Sequence, residues 1–280
     1  MASVAHVEEW TDACASVAEI EAALADLRSA HAHGGEPDLM TSVLTHIAWV
    51  PPEWQEAATE TLSGMGERHP SRTLLLFPQP GDSDELAARV LLECYDVAGL
   101  EQHLCSEVVE LRLQGARAEA PASIVVPLLL PDLPVFLRWR GRPDFGSPVV
   151  EQLLGIVDRL VVDSSEWDDV PAAYRELKLL FDRVVASDIA WRRTLPWRRA
   201  LASAWPELPD RLTGPPAETA LVTGWLRSRA GIDVATERAD ELPMRDDQDP
   251  SDVLSDELDV FVRDRVYEAA VSAARPEDRP

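Results

Sequence analysis

The chain has 280 residues, of which 46% are apolar and 27% charged, and its formal net charge is -24. This length allows one large domain or two smaller ones with substantial cores, and the composition is that of a globular protein. So negative a chain repels polyanions, and we therefore expect no nucleic acid and no membrane surface among its partners.

The start of the chain does not predict export. Its first ten residues, MASVAHVEEW, contain neither a basic segment nor an apolar one, so we expect no secretion signal. The longest apolar run, IVVPLLL at 124–130, is much shorter than a membrane span. These features indicate a cytoplasmic protein.

The three cysteines, Cys14, Cys94 and Cys105, are too few and too scattered for a disulfide framework or a metal cluster. Two of them, Cys94 and Cys105, lie on neighbouring predicted strands, where redox control is the alternative to a pair of buried thiols. We expect buried, reduced thiols, in keeping with a cytoplasmic protein.

Helices and strands alternate over the first 165 residues. A helix at 16–30 begins with Ser16 and Glu19, which have the spacing of a capping box. Residues 88–95 and 106–115 alternate apolar and polar side chains, which predicts an antiparallel hairpin. The other expected elements are strands at 42–50, 73–77, 134–141 and 159–165, and helices at 52–67, 121–132 and 147–158.

This alternation predicts an α/β fold, with a mostly parallel sheet, one antiparallel hairpin and flanking helices over 1–165. A smaller unit over 166–235 is expected to contain only helices. Residues 236–252 are dense in charge and lack apolar spacing, which indicates an acidic linker. The last segment, 253–280, has the pattern of an acidic amphipathic helix and tail, which either docks on the body or binds a partner.

The sequence contains none of the common catalytic or cofactor motifs. It has no glycine-rich phosphate loop, no H-E-x-x-H zinc motif and no G-x-S-x-G nucleophile turn, so we expect no cofactor and no metal site. Asp163 ends a predicted strand, at the edge where open α/β sheets bind ligands. Its alternative role is to cap the turn that follows.

A short basic cluster, RHPSR at 68–72, is a second candidate for binding an anion. Arg68 and Arg72 could hold a phosphate or carboxylate, helped by His69 and Ser71, because guanidinium groups match those anions. The alternative is structural: His69-Pro70 forces an extended turn, and Arg72 pairs with one of many acidic residues. Together with Asp163, this cluster would suit a sugar phosphate or a nucleotide sugar.

The most unusual stretch is AWRRTLPWRRALASAW at 190–205, which contains three tryptophans and four arginines. Pro196 suits the first turn of a helix, so a helix is expected to begin there. The tryptophans could line a core, with the arginines paired to local acids. Alternatively they form a docking surface, since Trp and Arg are enriched where interfaces concentrate binding energy.

Five segments together resemble the OpcA family, the glucose-6-phosphate dehydrogenase assembly proteins. They occur in the family's order and are HPSR (69–72), LLLPDLPVFLRWRG (128–141), DRLVVDS (158–164), SDIAWRRTLPWRR (187–199) and GWLRSR (224–229). The family's D-x-x-W-x-R-x-x-P-W-R pattern falls on Asp188, Trp191, Arg193, Pro196, Trp197 and Arg198. Arg192 and Arg199 lie outside this pattern, and the acidic C-terminal segment departs from the family.

The resemblance implies a non-catalytic protein that assembles or allosterically activates glucose-6-phosphate dehydrogenase. It implies two units, an α/β N-terminal domain and a C-terminal domain that opens around the tryptophan-arginine pattern. On this basis we expect the partner to contact Trp191, Arg193, Trp197 and Arg198. The alternative is a binding protein for sugar phosphates or nucleotide sugars that uses Arg68, Arg72 and Asp163.

Overall fold

The computed structural model describes residues 4–32, 42–62, 68–96, 103–244 and 248–275. The chain forms two compact units, one of Met1–Arg140 with Gly146–Asp158 and one of Gly141–Phe145 with Arg159–Pro280. The predicted α/β class, with mostly parallel strand pairing and one antiparallel hairpin, is confirmed.

The first unit contains strands β1 (Val4–Asp12), β2 (Leu44–Trp49), β3 (Ser71–Pro78), β4 (Leu86–Asp96), β5 (His103–Leu113) and β6 (Val135–Trp139). They lie in the order β1-β4-β5-β3-β2-β6. The pairs β1-β4 and β4-β5 are antiparallel, whereas β5-β3, β3-β2 and β2-β6 are parallel. Strand β2 is buried along its whole length and β3 at all positions but the last, as expected of strands covered on both faces.

The described part of the first unit contains the helices α1 (Val17–Ala32), α2 (Gln55–Leu62), α3 (Ala116–Glu119), α4 (Ala122–Leu128) and α5 (Pro148–Leu154). The predicted capping box is present at the start of α1. The N–H of Ser16 donates to Glu19 Oε2 at 2.7 Å, and the N–H of Glu19 donates to Ser16 Oγ at 3.3 Å. The end of the helix predicted over 52–67 lies outside the described residues, which stop at Leu62.

Two cysteines that we expected to be reduced form a disulfide. Cys94 on β4 and Cys105 on β5 lie directly opposite each other in the antiparallel register, with their Cα atoms 4.1 Å apart. The expectation of reduced thiols was wrong: the two cysteines were placed on neighbouring strands, but the strand pairing also sets them opposite each other, where their side chains can form a bond. Cys14 is free and exposed.

The second unit contains strands β7 (Arg159–Val162), β8 (Val185–Asp188), β9 (Arg211–Gly214) and β10 (Ala235–Arg238), and helices α6 (Val170–Leu177), α7 (Ile189–Arg193), α8 (Leu195–Ala204), α9 (Pro216–Ala230), α10 (Pro250–Leu258) and α11 (Arg265–Ala273). Strands β7 and β8 pair in parallel, and so do β9 and β10. The mainly helical character predicted for this unit is confirmed, but three short strands, β8, β9 and β10, also follow residue 165, where only helices were expected. The missed strands have four residues each, too few for apolar alternation to identify them.

The acidic C-terminal segment folds as two helices instead of the single helix that its pattern predicted. Val253 and Leu254 of α10 are buried, whereas Phe261 and Val262 in the connection are 60% and 73% exposed. Asp264 starts the second helix, because its carboxylate accepts hydrogen bonds from the backbone N–H groups of the first turn of α11. The apolar spacing continued across this connection and concealed the break.

A glycine allows α11 to pack closely against α9. A Cβ atom added at Gly224 would lie 2.2 Å from the carbonyl oxygen of Ala270. The glycine of the G-W-L-x-S-R segment is therefore required for close contact between two helix backbones. This contact answers the question left open for the acidic segment, which docks on its own unit.

Candidate functional site

The tryptophan-arginine segment forms two short helices, α7 and α8, that meet at Thr194. Asp188 caps α7, because its carboxylate accepts a hydrogen bond from the N–H of Ala190 at 2.9 Å. Pro196 lies in the first turn of α8, where its missing N–H costs nothing. The spacing of the D-x-x-W-x-R-x-x-P-W-R pattern thus encodes two helix starts in succession.

Trp191 lies inside the second unit, with 5% of its surface exposed. Its indole N–H donates to Asp264 Oδ2 at 2.8 Å. The guanidinium carbon of Arg198 lies 3.4 Å from the centre of the indole ring, a cation-π geometry. Arg198 also donates from Nε to Thr194 Oγ1 at 2.9 Å, and burial lowers the pKa of Arg198 to about 10. The arginine is therefore held in place over the ring.

Trp197 is also 5% exposed and packs in a cluster with Leu201, Leu212, Val222 and Leu226. A Cβ atom at Gly214, at the end of β9, would lie 3.3 Å from the indole ring. The two signature tryptophans therefore face inward, and the expectation that they contact a partner directly is not supported by their burial. Buried side chains such as these can influence contact with a partner only through the residues that they hold in place.

Arg193 is the centre of an ion-pair network with two buried carboxylates. Its two terminal nitrogens donate to the two carboxylate oxygens of Asp163 at 2.9 and 2.8 Å, and Nη2 also reaches Ser165 Oγ at 2.6 Å. A second carboxylate, Glu218 Oε1, accepts from Arg193 at 3.2 and 3.3 Å. Burial alone would lower the pKa of Arg193, but these carboxylates raise it above its usual value. The two-pronged contact is specific to a guanidinium.

Asp163, one of the predicted anion-site residues, is thus the partner of Arg193. It is 6% exposed, and it also takes the capping role, because its Oδ1 accepts from the N–H of Ser165 at 3.2 Å. A carboxylate engaged in this way is not presented to a ligand as a base.

Asp188 is the most perturbed carboxyl group of the second unit. It is 1% exposed, and burial together with the nearby charge of Asp163 raises its pKa to about 7. Its Oδ1 accepts the backbone N–H of Ser164 at 3.0 Å, and the hydroxyl of Tyr267 lies 3.5 Å from its Oδ2. The hydroxyls of Ser164 and Tyr174 are 2.8 Å apart in the same buried network. Burial in this network thus favours the protonated form of Asp188.

The predicted anion cluster of the first unit is largely internal. Arg72 is 6% exposed; it donates from Nε to Glu107 Oε2 at 2.7 Å and from Nη1 to the carbonyl of Leu128 at 2.8 Å. His69 and Ser71 are buried, whereas Arg68 is exposed. Arg72 belongs to this unit's core, and the structural interpretation of the cluster therefore fits the contacts better than anion binding.

Sequence reasoning missed the acidic partners of these arginines. Glu107 lies 35 residues from Arg72, and Glu218 lies 25 residues from Arg193. No local pattern links such pairs; the one available signal was that a buried arginine requires an acid. In the part of the chain that the structure describes, no three His, Cys, Asp or Glu side chains form a metal-binding group, and no helix could span a membrane.

Comparison with known proteins supports the resemblance found in the sequence. Residues 63–179 match the family model described as glucose-6-phosphate dehydrogenase subunit N-terminal domain. Proteins provisionally named OxPP cycle protein OpcA are 29% identical over 177 residues in Nostoc punctiforme and 29% over 179 residues in Synechococcus elongatus. A third, from a Synechocystis species, is 25% identical over 178 residues. No solved structure matches the chain.

The matches cover a larger share of this chain than of the relatives. They include 58%, 59% and 58% of this chain, but only 38%, 40% and 37% of the three relatives. The chain thus spans about two fifths of the length of the curated relatives it matches. The resemblance to the OpcA family is confirmed, and the family model ends before the tryptophan-arginine segment begins.

Proposed function

We propose that this chain is an accessory protein of glucose-6-phosphate dehydrogenase in the oxidative pentose phosphate pathway, because residues 63–179 match the OpcA family model. It binds the dehydrogenase and raises its activity, and it catalyses no reaction itself. The family match is the observation that carries this proposal.

The mechanism that we propose is differential binding. An accessory protein activates an enzyme when it binds the active or correctly assembled form more tightly than the inactive form. The chain then shifts the equilibrium of the dehydrogenase toward the active form. The size of this shift is the difference between the chain's binding free energies for the active and the inactive form, and no chemical step on the chain is needed.

We place the docking energy on the half-exposed arginines of α7 and α8. Arg193 retains 31% of its side-chain exposure, and Arg198 is fixed over Trp191. Arginines held rigid in this way lose little conformational entropy when they bind, and arginine is common among the residues that dominate binding energy. Trp191 contributes by positioning Arg198, and Trp197 contributes by packing α8 into the core of the second unit.

The alternative function, a binding protein for sugar phosphates, is less well supported. It requires Arg72 and Asp163 to meet an anion, whereas Arg72 binds Glu107 and Asp163 binds Arg193. Arg68 alone is exposed, and one surface arginine does not make a phosphate site.

Calorimetric titration of the chain into purified glucose-6-phosphate dehydrogenase tests the docking proposal. Arg193→Lys and Arg198→Lys keep the charge but lose the planar contacts, and we expect each to weaken binding by about tenfold. Arg229→Lys is the matched control, because Arg229 is an exposed arginine elsewhere in the second unit. Absence of binding by the unaltered chain would overturn the proposed function. Unchanged binding by both folded variants would overturn the docking surface alone.

A further inference from the structure

The tryptophan-arginine segment contains two pairs of adjacent arginines, and the chain neutralises only the first pair. Arg192 and Arg193 on α7 each bind carboxylates of the second unit. Within the described ranges of the chain, Arg198 and Arg199 on α8 form no ion pair. A partner therefore meets the charge of the second pair, whereas the charge of the first pair is already balanced.

The sequence of α8 explains why the second pair lacks an acid. The helix, LPWRRALASA, contains no aspartate or glutamate. An ion pair on a helix surface needs opposite charges three or four residues apart. At those spacings Arg199 has only apolar or hydroxyl side chains for neighbours: Leu195, Pro196, Ala202 and Ser203. The last two are small and exposed, as Arg199 is, so they leave its guanidinium open to a partner.

Arg198 is held in a fixed orientation. Its Nη2 donates to the carbonyl of Trp191 at 3.2 Å, its Nε donates to the hydroxyl of Thr194, and its guanidinium carbon lies over the indole ring. Both acceptors are uncharged, and Nη1 has no acceptor in the part of the chain that the structure describes. A guanidinium positioned in advance loses little conformational entropy on binding, so Arg198 is prepared for an anion.

Asp264 attracts Arg198 electrostatically but forms no ion pair with it. Its Oδ2 accepts from the indole N–H of Trp191, and its Oδ1 accepts from backbone N–H groups of α11. The pKa of Arg198 is lowered to about 10, chiefly by burial and in part by the charge of Arg199, against the opposing effect of Asp264. A carboxylate bound beside both arginines would offset their repulsion.

We propose that Arg198 and Arg199 together bind a carboxylate side chain on the surface of glucose-6-phosphate dehydrogenase. Guanidinium groups match the geometry of carboxylates, and the net charge of -24 repels a singly charged group less than a polyanion. An ion pair formed at this one position on an acidic protein fixes the register of docking. The inference rests on the proposed function and adds to it the group that the partner supplies and a residue, Arg199, outside the family pattern.

Calorimetric titration of three variants into purified glucose-6-phosphate dehydrogenase tests the sign of the recognised group. Arg199→Lys keeps the charge, Arg199→Gln removes it and Arg199→Glu reverses it. We expect nearly normal binding by the first, about fivefold weaker binding by the second and about 25-fold weaker binding by the third, because reversal adds repulsion to the lost attraction. The same three substitutions at Arg229, an exposed arginine elsewhere in the second unit, are the matched controls and should leave binding unchanged.

A carbodiimide cross-link tests the contact directly, because this reagent condenses an amine and a carboxylate into an amide without adding a spacer. The only lysine of the chain is Lys178. Arg199→Lys in a Lys178→Arg background therefore places the single lysine amine at the proposed contact. Mass spectrometry should find position 199 joined to an aspartate or glutamate of the dehydrogenase. Arg229→Lys in the same background is the control and should give no such product.

The outcomes separate this inference from the proposed function. If the unaltered chain does not bind the dehydrogenase, the proposed function fails and this inference fails with it. If the unaltered chain binds, equal affinities of the Arg199→Gln and Arg199→Glu variants would overturn the inference alone. A complex of the Arg199→Lys chain that yields no cross-link from position 199 would overturn it as well.

Discussion

At the scale of single residues, the second unit is organised around charges that are buried and paired. Arg193 joins Asp163 and Glu218, while Arg198 lies over Trp191. Breaking such a buried pair from one side leaves an uncompensated charge, which costs more than the pair contributes. Arg193 thus holds the residues after β7 and the first turn of α9 in place around the site.

A double-mutant cycle measures this coupling. Arg193→Met should lower the free energy of unfolding by about 3 kcal/mol, because it leaves the buried carboxylate of Asp163 without its partner, and Asp163→Asn should lower it by less, because Glu218 still pairs with Arg193. The double variant should be more stable than the sum of the two losses predicts, by about 2 kcal/mol. Urea denaturation of the four proteins provides the values. Strict additivity would show that the two side chains do not interact.

Asp188 makes stability depend on pH. The pKa of Asp188 is about 7 in the folded chain and near the ordinary aspartate value of 3.8 when the chain is unfolded, so the folded state holds the proton more tightly. Stability is highest when the group is protonated and falls as pH rises from about 4 to about 7, by about 4 kcal/mol at most.

Asp188→Asn should flatten this dependence, because the amide oxygen still accepts the N–H groups of Ser164 and Ala190 and carries no charge. Unfolding free energies measured at about pH 5 and about pH 8 should differ less in this variant than in the unaltered chain. The same difference in both proteins would exclude Asp188 as the titrating group. Asp210→Asn, an exposed carboxylate, is the control.

At the scale of elements, two contacts fix how neighbouring segments pack: the backbone approach of α9 and α11 and the disulfide between β4 and β5. Gly224→Ala tests the first. An added methyl group would meet the carbonyl of Ala270 at 2.2 Å, so we expect a loss of about 2 kcal/mol or more in unfolding free energy. Gly155→Ala is the matched control, since its Cβ would make ordinary contacts at 3.4 Å. Equal melting temperatures for the two variants would argue against close packing of these helices.

The disulfide should stabilise the hairpin of the first unit. It closes a loop with a sequence separation of 11 residues, for which a loss of about 2 to 3 kcal/mol is expected on removal. Cys94→Ser should lower the melting temperature and abolish the effect of a reducing agent on it. Cys14→Ser, which removes the exposed free cysteine, should leave both unchanged. A melting temperature of the unaltered chain that reductant does not change would contradict the role of this bond.

Elements whose signals are local could be predicted from sequence. The capping box of α1 and the antiparallel hairpin both depend on residues close together in the chain, and both are present. Strands β8, β9 and β10 could not be predicted, since each has four residues and is defined by a distant pairing partner. The contacts of the site could not be predicted for the same reason. The family pattern identified Arg193, but Glu218 is 25 residues away and meets Arg193 only in the folded chain.

At the scale of the whole molecule, charge and family point to the same kind of role. The net charge of -24 disfavours polyanionic partners, and the family model names the dehydrogenase. The acidic C-terminal segment, which departs from the family, completes the second unit, because Tyr267 and Asp264 contact the residues of the tryptophan-arginine pattern. Its removal would expose Trp191, so this segment is part of the unit's core.

The most direct test of the proposed activation is the rate of glucose-6-phosphate dehydrogenase as the chain is added at increasing concentration. The oligomeric state of the enzyme should be followed in the same samples. Differential binding predicts a saturable increase in rate, or in substrate affinity, with the midpoint at the dissociation constant measured by calorimetry. An enzyme that is saturated with the chain, yet unchanged in rate, substrate affinity and oligomeric state, would contradict the account.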